Sequence, residues 1–297
     1  MTKDHDILCI GSVLWDVIGR APSHMRQGAD VPGRITRLPG GVAMNIAMAL
    51  ARFGLRPALL SAVGRDPEGE ELIRACAALG VGTALLYRSE DLPTDRYMAI
   101  EGANGLIAAI ADAHSLEAAG ARILRPLTDG PLGDTTMPYA GTIALDGNLT
   151  LALLNEIATH PAFARADLRV APASPGKAER LLPFLTHGRA VLYVNLEEAS
   201  ILCQQSFDSA EQAARALVAR GAIRALVTDG GRPAADAGAD GVIALPCRQV
   251  LVTRVTGAGD TFMAAHIAAE LAGHNPEVAL GRALDAAATY VSGEIPS

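Results

Sequence analysis

Apolar positions fall along this chain in short strand-length runs separated by longer amphipathic stretches. Ile7 to Ile10 is a buried-type run that stops at Gly11. Ala43 to Arg52 carries helical spacing and is closed by Gly54 and Pro57. Ala58 to Val63 predicts a strand. Gly64 to Pro67 predicts a turn, with Asp66 as N-cap and Pro67 at the first helical position. Glu68 to Leu79 then predicts a helix stopped by Gly80, and Val81 to Tyr87 a further strand. The pattern repeats downstream. Strands are expected at Thr142 to Leu145, Leu168 to Ala171, Ala190 to Val194 and Ala225 to Val227. Helices are expected at Leu151 to Thr159, from Ser174 to Lys177 onward, at Asp208 to Arg220 and at Ala283 to Ser292. Strand and helix in alternation imply an α/β fold with a mostly parallel sheet between helices.

Two regions break the rhythm. Ser12 to Ile18 and Arg34 to Leu38 read as strands on either side of the polar, turn-rich Pro22 to Gly33. Thr94 to Ile100 and Leu106 to Ile110 read as a hairpin about Asn104-Gly105. Together they predict a small separate sheet, with segments near 12–38 and 94–112. Val242 to Leu245 and Gln249 to Val252 suggest a terminal β meander, and Arg125 to Tyr139 a long loop without an assigned role. No repeat and no linker between independent halves is visible, so residues 1–297 are expected to form one domain.

Composition narrows the function. Half of the residues are hydrophobic and the net charge is −7, which argues against a nucleic-acid or anionic-membrane partner. The four cysteines (Cys9, Cys76, Cys203, Cys247) lie too far apart for a thiol redox or zinc pattern, and read as buried thiols. No apolar run is long enough to span a bilayer, and Met1 to Asp6 lacks the basic start and apolar run of a signal peptide. A cytoplasmic protein is expected.

The chemistry concentrates at Thr256-Gly257-Ala258-Gly259-Asp260, followed by small residues that read as helix. Such a turn aims unpaired backbone N–H groups into one space at a helix N-terminus, where the dipole favours an anion. An acid beside an anion is repelled unless it is there to take a proton. As a lone motif the stretch reads first as a tight turn with Asp260 as a first-turn acid favouring the dipole. Phe262 occupies the last glycine position of a dinucleotide fingerprint, and no P-loop motif exists.

Thr-Gly-Ala-Gly-Asp resembles the second signature of the ribokinase-like (PfkB) carbohydrate kinases. Pro39-Gly40-Gly41-Val42-Ala43-Met44-Asn45 resembles their first. The resemblance covers essentially the whole chain and implies a three-layer α/β/α fold with a small β lid. It implies that Asp260 is the base and that the Gly257, Ala258 and Gly259 amides hold the transferring phosphoryl group. Asp16, Gly40, Gly41, Asn45 and Thr94 would bind the sugar. From the residues alone, Asn45 is equally a capping residue and Asp16 a turn residue. Asn195-Leu196-Glu197-Glu198 is similar to the family's Asn-x-x-Glu motif, so Asn195 and Glu198 would organise Mg²⁺ through water; without the resemblance the pair is an N-cap and a first-turn Glu. Thr228, Gly230, Gly231 and Thr256, with Asn195 and Gly257, would line the ATP site. Asp146 and Asn148, at a strand end, border the same crevice. Lys177 is either a phosphate contact or a solvent-exposed side chain.

Gly-Gly-Val-Ala-x-Asn-Ile-Ala and Ala108-Ala109-Ile110-Ala111-Asp112 resemble the pseudouridine-kinase branch more than ribokinases or fructokinases, although Met44 stands where that branch usually has Arg. The implied reaction is ATP-dependent phosphorylation of a ribosyl 5′-hydroxyl. Ribokinase, fructokinase or another nucleoside kinase is the alternative within the family. A non-catalytic nucleotide- or sugar-binding regulator and a dinucleotide oxidoreductase are the readings outside it. The lid would also serve as a homodimer contact. Arg254 stands three positions before Gly257, where many relatives carry the Asp of a monovalent-cation loop; a guanidinium there repels a cation. It would then supply part of that charge itself, or else point to solvent.

Overall fold

The computed structural model describes residues 5–294. Its main sheet has eight strands in the order Pro57–Leu60, Ile7–Ile10, Thr142–Asp146, Asp167–Ala171, Ala190–Asn195, Arg224–Asp229, Arg232–Gly238, Gly241–Leu245. Pairing is parallel through Arg224–Asp229, and the last two strands are antiparallel. Because side chains alternate along a strand, Leu8 and Ile10 enter one hydrophobic cluster while Ile7 and Cys9 enter another. Both faces of the sheet are therefore covered. Val42–Arg52, Ala258–Leu271 and Pro276–Ser292 contribute to the second cluster, and Leu151–Thr159 and Ala210–Ala219 to the first.

A second sheet of four strands has the order Arg34–Gly40, Leu14–Arg20, Arg96–Gly102, Gly105–Asp112. It is tied down where it leaves the main body. Asp66 caps the helix Pro67–Ala78 through Gly69 N–H and also accepts the Thr94 N–H and hydroxyl. Asp95 accepts the Ser115 and Leu116 N–H groups.

The helix Ala258–Leu271 is fixed to the sheet by a nearly buried ionic cluster. Glu270 pairs with both Arg169 and Arg224, which also hold Asp167 and Asp236. His266 of the same helix bonds the Tyr193 hydroxyl at 2.9 Å. Opposite charges that satisfy one another are tolerable here, where a single unpaired one would be strongly destabilising.

Several expectations are corrected. Ala58 to Val63 is not one strand: Pro57–Leu60 belongs to the main sheet, and Ala62–Gly64 pairs with Tyr87–Ser89 in a separate ribbon. Val81 to Tyr87 makes one bridge, at Gly82, before Leu86 N–H closes a turn onto the Thr83 carbonyl. Gln249 to Val252 forms no strand. The added strand is Arg232–Gly238, whose Pro and alanines carry little β preference but whose Ala234, Ala235 and Ala237 are buried. Arg125 to Tyr139 begins as the short helix Arg125–Thr128, turns on Asp134, which accepts the Thr136 and Met137 N–H groups, and ends at a buried Tyr139. The helix expected from Ser174 onward does form, opening as the 3₁₀ helix Pro175–Leu181 and continuing as the α-helix Leu182–Thr186. The last helix begins at Pro276, seven residues before the expected start, because the Asn275 side chain caps it.

Candidate active site

Two glycine-bearing turns and a strand end meet at the carboxyl side of the parallel sheet. Ser12, just past the strand Ile7–Ile10, fastens them together. Its hydroxyl donates to Asp146 Oδ2 and accepts the Val42 N–H, while its N–H also donates to Asp146 and its carbonyl accepts the Met44 N–H. Asp146 is completely buried and also accepts the Asn148 N–H. The amino end of the Val42–Arg52 helix is thereby locked to two strands, and Asn45 is aimed inward from its first turn.

The paired glycines are a steric requirement. A Cβ on Gly40 would lie 2.0 Å from Asp16 Oδ2, and one on Gly41 would lie 2.4 Å from the Ser12 carbonyl oxygen. Gly41 also has φ +94°, in the left-handed region. The space is given to Asp16, which accepts no hydrogen bond from the described residues. Burial pushes its carboxyl up to about 6.

Across from these elements, Asn45 Nδ2 donates to Asp260 Oδ2 at 3.1 Å. Burial raises the Asp260 carboxyl to about 7; the Asn45 hydrogen bond opposes this, and the charges of Asp146 and Glu198 add to it. Gly257 caps the Asp260 helix with φ +89°, and a Cβ there would lie 2.5 Å from the Tyr290 hydroxyl oxygen. That hydroxyl donates to the Thr256 carbonyl. Ala258 N–H is spent on the Val255 carbonyl. This corrects the expected donor set: the backbone N–H groups of Gly257, Gly259 and Asp260 are the ones without a protein acceptor among the described residues. Three unpaired donors at a helix start form a site for an anion.

Asp16, Asn45, Thr256, Gly257 and Asp260 line one cavity of about 1100 Å³, with Arg254 and Tyr290 on its wall. The strands of the second sheet contribute Ile18, Leu38 and Leu106. Arg254 does not simply point to solvent. Its guanidinium stacks on the Tyr290 ring at 3.8 Å, and its Nε donates to the Tyr290 carbonyl.

Asn195 and Glu198 form a reciprocal capping box on the helix Leu196–Cys203, each side chain accepting the other's backbone N–H at 2.8 Å. The capping reading of this pair is therefore what the structure shows. Burial raises the Glu198 carboxyl to about 7, with the Asn195 N–H opposing and Glu197 adding. No group of three or more His, Cys, Asp or Glu that could hold a metal exists among the described residues.

Other expected site residues stand outside the cavity lining. Thr94 is buried and committed to Asp66. Thr228, Gly230 and Gly231 lie at the turn joining Arg224–Asp229 to Arg232–Gly238, where Gly230 has φ +57° and Gln249 Nε2 donates to the Gly231 carbonyl. Two residues that sequence reasoning passed over matter here. Ser12 could have been noticed as the first polar residue after the first strand, and Tyr290 as an aromatic within a helix otherwise rich in alanine.

Residues 4–294 match the model of the pfkB family carbohydrate kinases. The uncharacterized sugar kinase YeiI of Escherichia coli (strain K12) is 30% identical over 213 residues, covering 70% of this chain and 56% of that protein. The chain thus spans little more than half the length of that relative. The pseudouridine kinase of the same organism is 40% identical over 79 residues, covering 27% of this chain and 25% of that protein. The crystal structure of ribokinase from Thermotoga maritima superposes with a TM-score of 0.78 at 20% identity, over 99% of this chain and 96% of that one. The fold is ribokinase-like, and the chain belongs to the pfkB family of carbohydrate kinases.

Proposed function

We propose that the protein is an ATP-dependent kinase, built as a single domain, that phosphorylates the primary hydroxyl of a ribosyl compound, with pseudouridine the preferred acceptor. The observation that carries this reading is the Asn45–Asp260 pair beside three unpaired backbone N–H groups, in one cavity with Asp16. A base, an anion cradle and an acceptor of hydroxyl protons are what phosphoryl transfer to an alcohol requires. Asp16 accepts two sugar hydroxyls. Asp260 takes the proton of the primary hydroxyl as its oxygen bonds to the γ-phosphorus; the bond from that phosphorus to the ADP oxygen breaks. The Gly257, Gly259 and Asp260 amides offset charge on the transferring group. ATP lies toward Asn195, Thr228, Gly230 and Gly231.

The donors fit Mg²⁺ carried mainly by phosphate and water oxygens, with Glu198 and Asn195 as outer partners, and the ion would neutralise phosphate charge. The second sheet acts as a lid. Its face away from the cavity bears Ile35, Met98, Ile100 and Ile110, of which Ile35 is 76% and Ile110 68% exposed. Such a patch suits a homodimer contact. An enzyme of this kind with unbridged thiols belongs in the cytoplasm.

The preference for pseudouridine rests on the Gly40 to Ala47 stretch, the Ala108 to Asp112 strand and the 79-residue similarity to a pseudouridine kinase. A panel of pseudouridine, uridine, adenosine, ribose and fructose with ATP tests it. Pseudouridine is expected to give the highest kcat/KM; a best rate on ribose or fructose would overturn the substrate while leaving the kinase.

A further inference from the structure

Lys177 lies in the turn Pro175–Leu181, which follows the strand Asp167–Ala171 and packs against the helix Leu196–Cys203. It is half-buried and makes no ion pair with any described residue. Its Nζ donates to Asn148 Oδ1 at 2.5 Å. Asn148 passes the contact on: its amide donates to the Ser12 hydroxyl at 3.1 Å and to Asp146 Oδ2 at 3.3 Å. A continuous hydrogen-bonded chain therefore joins Lys177 to the Ser12 hub, which holds the helix carrying Asn45 and so reaches Asp260.

The charge around this chain is lopsided. The buried carboxyl of Asp146 stands in this hydrogen-bonded chain, and no arginine or lysine pairs with it among the described residues. The neighbouring Arg180 is neutralised by Glu117. Lys177 is left as a cation whose ammonium has three donors, of which the structure uses one. Its turn follows the parallel strand Asp167–Ala171, packs on the helix that follows Ala190–Asn195 and reaches Asn148 just past Thr142–Asp146, at the carboxyl ends where ligands of open α/β sheets bind. A carboxylate beside a polyphosphate repels it, and an ammonium held one residue away through Asn148 offsets that repulsion.

Resting on the kinase reading above, we propose that Lys177 is a direct ligand of the donor's terminal phosphate, delivered to it from Asn148. The ammonium turns from the neutral amide oxygen to a phosphate oxygen, exchanging a neutral acceptor for a charged one. This contact is made to ATP and not to ADP.

The test compares affinities for the imido analogue of ATP and for ADP, both with Mg²⁺, by calorimetry on the full chain. Lys177→Gln can still donate to Asn148 but carries no charge, and Lys177→Met keeps the stem if the first variant folds poorly. Either should weaken the analogue by about ten-fold or more, the scale of one charge-assisted hydrogen bond. ADP affinity should change less than about three-fold, and Lys177→Arg should restore most of the loss. A merely structural lysine would lower both affinities together or neither, and that result overturns the proposal. If the unmodified protein binds neither nucleotide, the kinase reading fails as well, so the two failures are distinguishable.

Discussion

Asn45 and Asp260, 215 residues apart in the chain, meet through one hydrogen bond of 3.1 Å. That contact fixes where the Asp260 carboxylate points and stabilises its charged form against the burial that raises it to about 7. A carboxylate poised near neutrality is a better proton acceptor than one with an ordinary pKa near 4.

The pH dependence follows with a definite sign. Asp260 must be ionised to take a proton, so kcat/KM for the acceptor should rise through about pH 7 and level off above it. Asp16, at about 6, ionises earlier and does not set this limb. Glu198 is also raised to about 7, so the limb belongs to an interacting pair. Two variants should move it in opposite directions. Asn45→Ala removes the bond that favours the charged form and shifts the limb upward; Glu198→Gln removes a repelling charge and shifts it downward. A full pH–rate profile of each checks both signs.

Gly40→Ala places a methyl group where Asp16 Oδ2 now lies, at 2.0 Å. Asp16 must turn away, so KM for the acceptor should rise by about ten-fold or more, the value of a lost charge-assisted hydrogen bond. Nucleotide affinity should be nearly unchanged, because the unpaired amides lie on the other element. Steady-state kinetics with each substrate varied in turn separates the two.

Much of this site was legible in the sequence, and the parts that were not have physical reasons. The Gly-Gly and Gly-x-Gly-Asp turns announce themselves because glycine marks close approach and left-handed backbone, and the structure shows both at Gly41 and Gly257. Asp66 and Pro67 likewise mark a helix start by local chemistry alone. The Arg232–Gly238 strand was hidden because its burial comes from tertiary packing and not from strand-forming residues. The use of Ala258 N–H by Val255 could not be read either, since it depends on how the loop closes. Thr94 shows the same limit. A threonine entering a lid strand suggests a substrate contact, but its hydroxyl is committed to Asp66, 28 residues earlier.

Arg254 leads to a prediction about salts. Its guanidinium is held on the Tyr290 ring and lines the cavity, where it repels a monovalent cation and contributes positive potential. Turnover should therefore be nearly equal in K⁺ and in a bulky organic cation at matched ionic strength. Arg254→Asp should lower turnover and make it respond to K⁺. Strong K⁺ activation of the unmodified enzyme would mean that backbone carbonyls bind the ion despite the arginine.

The central claim is that Asp260 is the base of a phosphoryl transfer, and one substitution addresses it. Asp260→Asn keeps the shape, and its amide oxygen can still accept the Asn45 donor, but it cannot take a proton. ADP release with pseudouridine and saturating Mg²⁺–ATP should show kcat reduced by about 10²-fold or more, the usual contribution of a general base, while the ATP dissociation constant is little changed. Near-native turnover in that variant would contradict the account.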